Sequence, residues 1–331
     1  MNRRETLFAL LALVTAAGSL AQPAAKAPRI ALVDTSEQTV NMAEGRNASW
    51  GALLSELRRL GYVEGTTIIV ERWSGGGDTR AYEALARKVV ASRPDVIFAR
   101  GRTMTVPIAA ATKEIPIVAN GTIPAHLYLS FAHPGKNVTG IHFSSGNQQI
   151  YTKQIEFLRE VTKANARIVW LGTRTVWDGP VGEAARLGAR QAKLALEPMI
   201  VESPVDDAAI KRAFAVIAAG KFEGICVSPA TELDPHRATI AALALAARLP
   251  SMGRDSIFPE AGILMSYGTV DADMFRKSAH LGDKILKGAR PGDLPIEQPS
   301  KIELVVNART AKALGIKIPQ SILVRADRLI E

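Results

Sequence analysis

The chain has 331 residues, 47% of them hydrophobic, and a formal net charge of +9, a length suited to about two ordinary domains. Its single cysteine excludes an internal disulfide framework, and its basic residues form neither an arginine-rich arm nor a basic helix with interleaved aromatics, which argues against nucleic acid. A positive field of this size favours anionic ligands.

The first residues stand apart. Asn2-Arg3-Arg4 gives a positive start, Leu7 to Ala17 a short apolar run, and Ser19-Leu20-Ala21 the small residues that a signal peptidase reads. This order predicts a secretory signal peptide over 1–21, because the run is too short to span a bilayer. No cysteine follows the cut, so no lipoprotein anchor is expected. Arg3-Arg4 leaves twin-arginine export open beside an ordinary Sec signal. The expectation is a soluble periplasmic protein starting near Gln22.

From there apolar strands alternate with amphipathic helices. In the first half, strands are expected at Arg29–Asp34, Thr67–Trp73, Asp95–Ala99, Ile115–Ala119 and Val138–His142. Trp50, Leu53, Leu54, Leu57 and Leu60 repeat at helical spacing before Gly61, which suits a left-handed cap. Tyr82, Leu85, Ala86, Val89 and Val90 mark the next helix, and Met104–Thr112 begins another. Asn147–Lys163 carries the chain onward. In the second half, strands are expected at Arg167–Leu171, Pro198–Val201, Glu223–Val227, Pro250–Gly253 and Ile263–Tyr267. Asp206 or Asp207 caps a helix ended by Gly220, and Asp234-Pro235 reads as an N-cap followed by proline in the first helical position.

Such a rhythm implies α/β architecture with parallel sheets covered on both faces. Two rounds of it predict two lobes, over 28–143 with about 268–300, and over 144–267 with about 301–331. The late helix Asp271–Gly288 and strand Ile302–Val306 cross back between them. Ligands of open α/β sheets sit beyond the carboxyl ends of the strands. Two lobes facing each other with those ends form a cleft that can close about a hinge.

Signatures of catalysis are missing. Ser144-Ser145-Gly146 does not complete a nucleophile elbow, and Lys136 precedes Asn137 where a phosphate loop needs Ser or Thr. His126, His133 and His142 lack metal-ligand spacing, so no metal or cofactor is expected. Asp271 and Asp273 stand where a helix begins and read as dipole compensation. Cys226, within Gly224–Val227, reads as a buried, inert thiol.

The stretches "LRRLGYVEG", "IPIV", "PGKNVTGI", "GILMSYG" and "DKILKGARPGDLPIEQPSKIELVVNARTAKALGIKIPQSILVRAD" run in order from about Arg29 to the C-terminus. Together they resemble the ABC-transporter substrate-binding proteins of the tryptophan/tyrosine-binding type. The resemblance implies a periplasmic-binding-protein type I fold, no enzymatic activity, and delivery of a small solute to the transmembrane subunits of an ABC permease by a monomeric binding protein. Three strand ends depart from the family pattern, at Gly101-Arg102, at Asn120-Gly121-Thr122 and at Thr173-Arg174, so the ligand does not transfer with the class.

The candidate ligand contacts are therefore strand ends. The first lobe offers Thr35, Ser36, Gly101, Arg102, Thr103, Asn120, Ser144 and Ser145; the second offers Thr173, Arg174, Ser228, Thr231, Arg254 and Tyr267. Trp177 either walls the pocket or packs on its own lobe. Arg102, at a helix start behind Gly101, suits a carboxylate, with Arg174 clamping from the facing lobe and Arg100 covering the sheet edge or facing water. The solute expected is an amino acid or organic acid. A ligand sensor presenting its solute to a membrane receptor, or an exported α/β enzyme, are the other readings open at this point.

Overall fold

The computed structural model describes residues 26–143 and 148–331. The expected signal peptide, and Ser144 with Ser145, lie outside the described residues.

The first lobe alternates as its apolar spacing requires: β1 (Arg29–Asp34), α1 (Ala48–Arg59), β2 (Ile69–Ser74), α2 (Tyr82–Ala91), β3 (Val96–Arg100), α3 (Arg102–Ala111), β4 (Ile117–Gly121) and β5 (Val138–His142). All five strands are parallel, in the order β2-β1-β3-β4-β5. Asn47 caps α1 by accepting from the Ser49 and Trp50 amides, and Gly61 (φ +97°) stops the chain just beyond it. The apolar face of α1 is buried where its spacing placed it, at Trp50, Leu53, Leu54 and Leu57.

The second lobe follows with α4 (Gln148–Glu160), β6 (Arg167–Gly172), α5 (Arg174–Trp177), α6 (Pro180–Ala192), β7 (Ala195–Ile200), α7 (Asp207–Ala219), β8 (Gly224–Val227), α8 (Arg237–Ala246), β9 (Ser251–Gly253), α9 (Ile257–Ala261) and β10 (Met265–Thr269). Next come α10 (Asp271–Leu286), β11 (Ile302–Asn307), α11 (Ala308–Leu314), α12 (Gln320–Leu323) and β12 (Arg328–Ile330). The seven strands run β12-β11-β10-β9-β8-β6-β7. Pro198 falls within β7, which is an edge strand and so tolerates the missing N–H.

The chain passes between lobes three times, after β5, at Val270, and between Glu297 and Ile302. Helix α10 buries Met274, Phe275, Ala279, Leu281 and Ile285 in the first lobe's core, beside Trp50 and Phe98. Glu297 bonds backbone to backbone with Gly140 and His142 before the chain returns to the second sheet. That return corrects one expectation, for β11 is antiparallel to β10, with Ile302 opposite Thr269 and Val306 opposite Met265. The chain re-enters the sheet from the cleft end, so it must run back along β10. Asp234 is also not an N-cap: it lies inside a 3-10 helix over Thr231–His236 that precedes α8.

Candidate functional site

Between the lobes lies a cavity of about 300 Å³, within the size range of small-molecule sites. Its floor is the turn from β3 into α3. Gly101 adopts φ +81°, and a Cβ there would stand 2.9 Å from Thr231 Oγ1 of the facing lobe. Only glycine permits both the backbone angle and that approach. With glycine as the cap, no side chain satisfies the first-turn N–H groups of α3, and Arg102 and Thr103 line the cavity. A helix start of this kind presents unpaired donors and a partial positive charge to an anion.

The walls are largely apolar, with Phe143, Tyr151, Val176, Val181, Met274 and Phe275. Four residues lining the cavity each carry a buried polar atom without a protein partner: Asn120 Nδ2, Tyr151 Oη, Arg254 Nε and Asp271 Oδ1. The Asn120 amide lies 3.0 Å from Ser278 Oγ, which is also within hydrogen-bond distance of the Met274 carbonyl at 3.1 Å. Buried polar groups are ordinarily satisfied, so a group of unsatisfied ones around one cavity makes it the candidate site.

Under this cavity sits a buried ionic cluster. Arg100 Nη2 lies 2.8 Å from Asp234 Oδ2 and 2.9 Å from Asp271 Oδ2, and Arg100 Nη1 lies 3.6 Å from Asp34 Oδ2. Arg254 Nη2 lies 2.9 Å from Asp234, 2.9 Å from Asp255 and 3.2 Å from Asp271. Four aspartates thus surround two arginines. Burial opposes the charge on Arg100, but Asp234, Asp34 and Asp271 outweigh it and hold the guanidinium firmly protonated. Burial raises Asp234 against the pull of Arg254 and Arg100, and pushes Asp255 up to about 8. Burial would raise Asp271 as well, yet Arg254 and Arg100 prevail and hold it below its ordinary range.

Further contacts close the cleft. Thr35 Oγ1 donates to Thr231 Oγ1 at 2.9 Å, Ser36 Oγ to the Thr231 carbonyl at 3.0 Å, and Thr103 Oγ1 to Glu232 Oε1 at 2.9 Å. At the far rim the Val205 amide donates to the Gly77 carbonyl at 3.2 Å.

Of the strand-end candidates, Gly101, Arg102, Thr103, Asn120, Thr231 and Arg254 line the cavity. The others among the described residues do not. Thr35 and Ser36 are buried in the lobe contact. Ser228 is fully buried, its hydroxyl turned to the Ala230 amide. Thr173 precedes α5 and its carbonyl takes the Val176 and Trp177 amides. Arg174 is exposed, and the cavity is reached instead by Thr175 and Val176. Tyr267 packs on Phe157, with ring centroids 5.2 Å apart, on the helix-covered face of the second sheet. Trp177 packs within its own lobe on Trp170 and under Arg186.

Two sequence expectations are reversed here. Arg100 neither covers an edge nor faces water, being 3% exposed, whereas Arg102 is exposed at the cavity mouth. Asp271 does stand in the first turn of α10, but its carboxylate serves the ionic cluster. The apolar walls from α10 and from Phe143 and Tyr151 were missed, because they come from the crossing segments and not from strand ends. One signal was available for them: α10 carries an apolar stripe immediately after an acidic first turn.

A family model described as ABC transporter substrate binding protein matches residues 40–330. The chain is 21% identical to a tyrosine-binding protein of Clostridioides difficile (strain R20291) over 268 residues, 80% of this chain and 75% of that protein. Among solved structures, a conserved domain protein of Vibrio cholerae O1 biovar El Tor str. N16961 superposes with a TM-score of 0.78 at 24% identity, covering 92% of this chain and all of the other. A Streptococcus pneumoniae ABC domain in complex with L-Trp gives 0.76 at 22% identity, covering 92% of this chain and 99% of its own. These likenesses establish the type I periplasmic-binding-protein fold. The chain belongs to the ABC transporter substrate-binding protein family.

Proposed function

We propose that the protein is exported by its first 21 residues, binds a small carboxylate-bearing solute in the interlobe cavity, and hands it as a monomer to an ABC permease. The single observation that carries this reading is the cavity itself. An uncapped helix start with Arg102 beside it suits a carboxylate, and apolar walls hold unpartnered Asn120 Nδ2, Tyr151 Oη and Asp271 Oδ1. Asp271 Oδ1 can only accept, so a solute that also carries a protonated amine satisfies it and an amine-free acid does not. An amino acid therefore fits better than a simple organic acid, in keeping with the relatives whose names record tyrosine and L-Trp. Binding is favoured over catalysis by the family to which the chain belongs. Closure of the lobes around the hinge then encloses the solute, and reopening at the permease releases it.

A thermal-shift panel of amino acids and amine-free organic acids, with product analysis, tests this. A ligand at 100 times its Kd adds about 2.7 kcal/mol to apparent stability. Stabilisation by amino acids without new product supports the reading; consumption of a solute overturns it.

A further inference from the structure

We propose that Arg100 is the positioning residue of the site, latching the two lobes together and orienting Asp271 towards the solute. The inference rests on the solute-binding reading for its purpose, but its geometry stands independently. Arg100 ends β3 in the first lobe, while Asp234 belongs to the 3-10 turn of the second, and the two meet at 2.8 Å with both side chains buried. Asp271 begins α10, immediately after the chain crosses between lobes. Its Oδ2 takes both Arg100 and Arg254, while its Oδ1 is buried without a protein partner beside the cavity that Asp271 lines.

The cluster divides along the cleft in a way that makes the latch reversible. Separation of the lobes leaves Arg100 with Asp34, its neighbour from β1. It leaves Arg254 with Asp234 and Asp255. Each half keeps a charge partner of its own, so opening strands no buried ion. An ion pair confined to one lobe would be part of a core; this one joins two bodies that can each dispense with it. Asp34 is further held by the Trp50 indole N–H at 2.8 Å and by the Ser36 and Glu37 amides, so it is in place to receive Arg100 in either state.

The test reads lobe separation directly and needs no solute. Spin labels are placed on exposed helices of opposite lobes through Glu83→Cys and Lys211→Cys. Cys226 is fully buried, and burial pushes its thiol up to about 12, so it escapes labelling. Double electron–electron resonance without added solute should show a short-distance population in the parent protein. Arg100→Met should reduce that population at least tenfold, and Arg100→Lys should restore part of it, one ammonium being unable to serve three carboxylates at once. Asp234→Asn keeps the volume and should reproduce the loss, which covers the case in which Arg100→Met does not fold. Arg59→Ala, an exposed pair on α1, should change nothing. Identical distance distributions in the parent, Arg100→Met and Asp234→Asn proteins, whether all open or all closed, would overturn the proposal. Failure of the solute panel leaves this readout intact, so the two claims fail separately.

Discussion

Arg100 Nη2 and Asp234 Oδ2 lie 2.8 Å apart although the β-strand and the 3-10 turn that carry them belong to different lobes. The contact is almost wholly shielded from solvent, with side-chain exposures of 4% and 2%. Asp234 and Asp271 keep Arg254 when Arg100 is removed, but Asp34 loses its cation, and an uncompensated buried charge costs about 3–5 kcal/mol. Arg100→Met should destabilise the protein by an amount in this range in urea titration, with weaker solute binding. The Arg100→Lys protein should fall between the two.

Arg102 should behave differently. It is exposed at the cavity mouth and makes no ion pair among the described residues. A screened charge contributes about 1 kcal/mol or less. Arg102→Ala should therefore lower affinity several-fold with the melting temperature unchanged, and the difference from the parent should shrink as salt is raised. Titration calorimetry at low and high salt checks both.

The Tyr151 hydroxyl is buried without a partner, although its ring belongs to the second lobe's core. Tyr151→Phe removes no protein hydrogen bond, so the melting temperature should hold or rise. On the proposed reading, in which the hydroxyl meets the solute, affinity should fall several-fold. Equal melting temperature with equal affinity would remove Tyr151 from the site.

The cluster also sets a pH dependence. Burial pushes Asp255 up to about 8, against Arg254 and with Asp271 and Asp234 adding to the rise. The folded protein thus binds a proton that the unfolded chain has lost, and this contribution is present at low pH and disappears as pH climbs through about 8. Asp271 has the opposite sign: Arg254 and Arg100 hold it low, and its contribution vanishes as pH falls through its folded value. Melting temperature should decline from pH 6 to pH 9. Asp255→Asn should flatten that decline, since it keeps the volume and the Oδ1 that accepts from the Ile257 amide at 3.3 Å.

Much of the fold could be read from residue patterns, because strand and helix spacing report local burial. Most of the expected strands lie within two or three residues of those found, and the Asn47-to-Gly61 helix buries its expected face. Residues at the site were legible where backbone chemistry alone places them. Gly101 must sit at a tight turn, and Arg102 must follow it into a helix. Side chains that act across the cleft were not legible. Asp34, Asp234 and Asp271 each read as an ordinary strand end or helix start, and nothing local shows that Arg100 brings all three together. Thr35 and Thr231 were likewise sound as strand-end positions, yet their hydroxyls meet each other. The antiparallel β11 was hidden for a similar reason. An apolar strand looks the same in either direction, and only the crossing through the first lobe dictates which way it runs.

The proposed carboxylate-bearing solute is held between the lobes at the start of α3. A crystal structure grown with the most stabilising solute of the panel tests this most directly. The predicted result places the carboxylate within hydrogen-bond distance of the Arg102 and Thr103 amides, with a donor of the solute on Asp271 Oδ1. A solute bound elsewhere, for instance in the groove between α11 and α12 lined by Ile316 and Leu323, would contradict it.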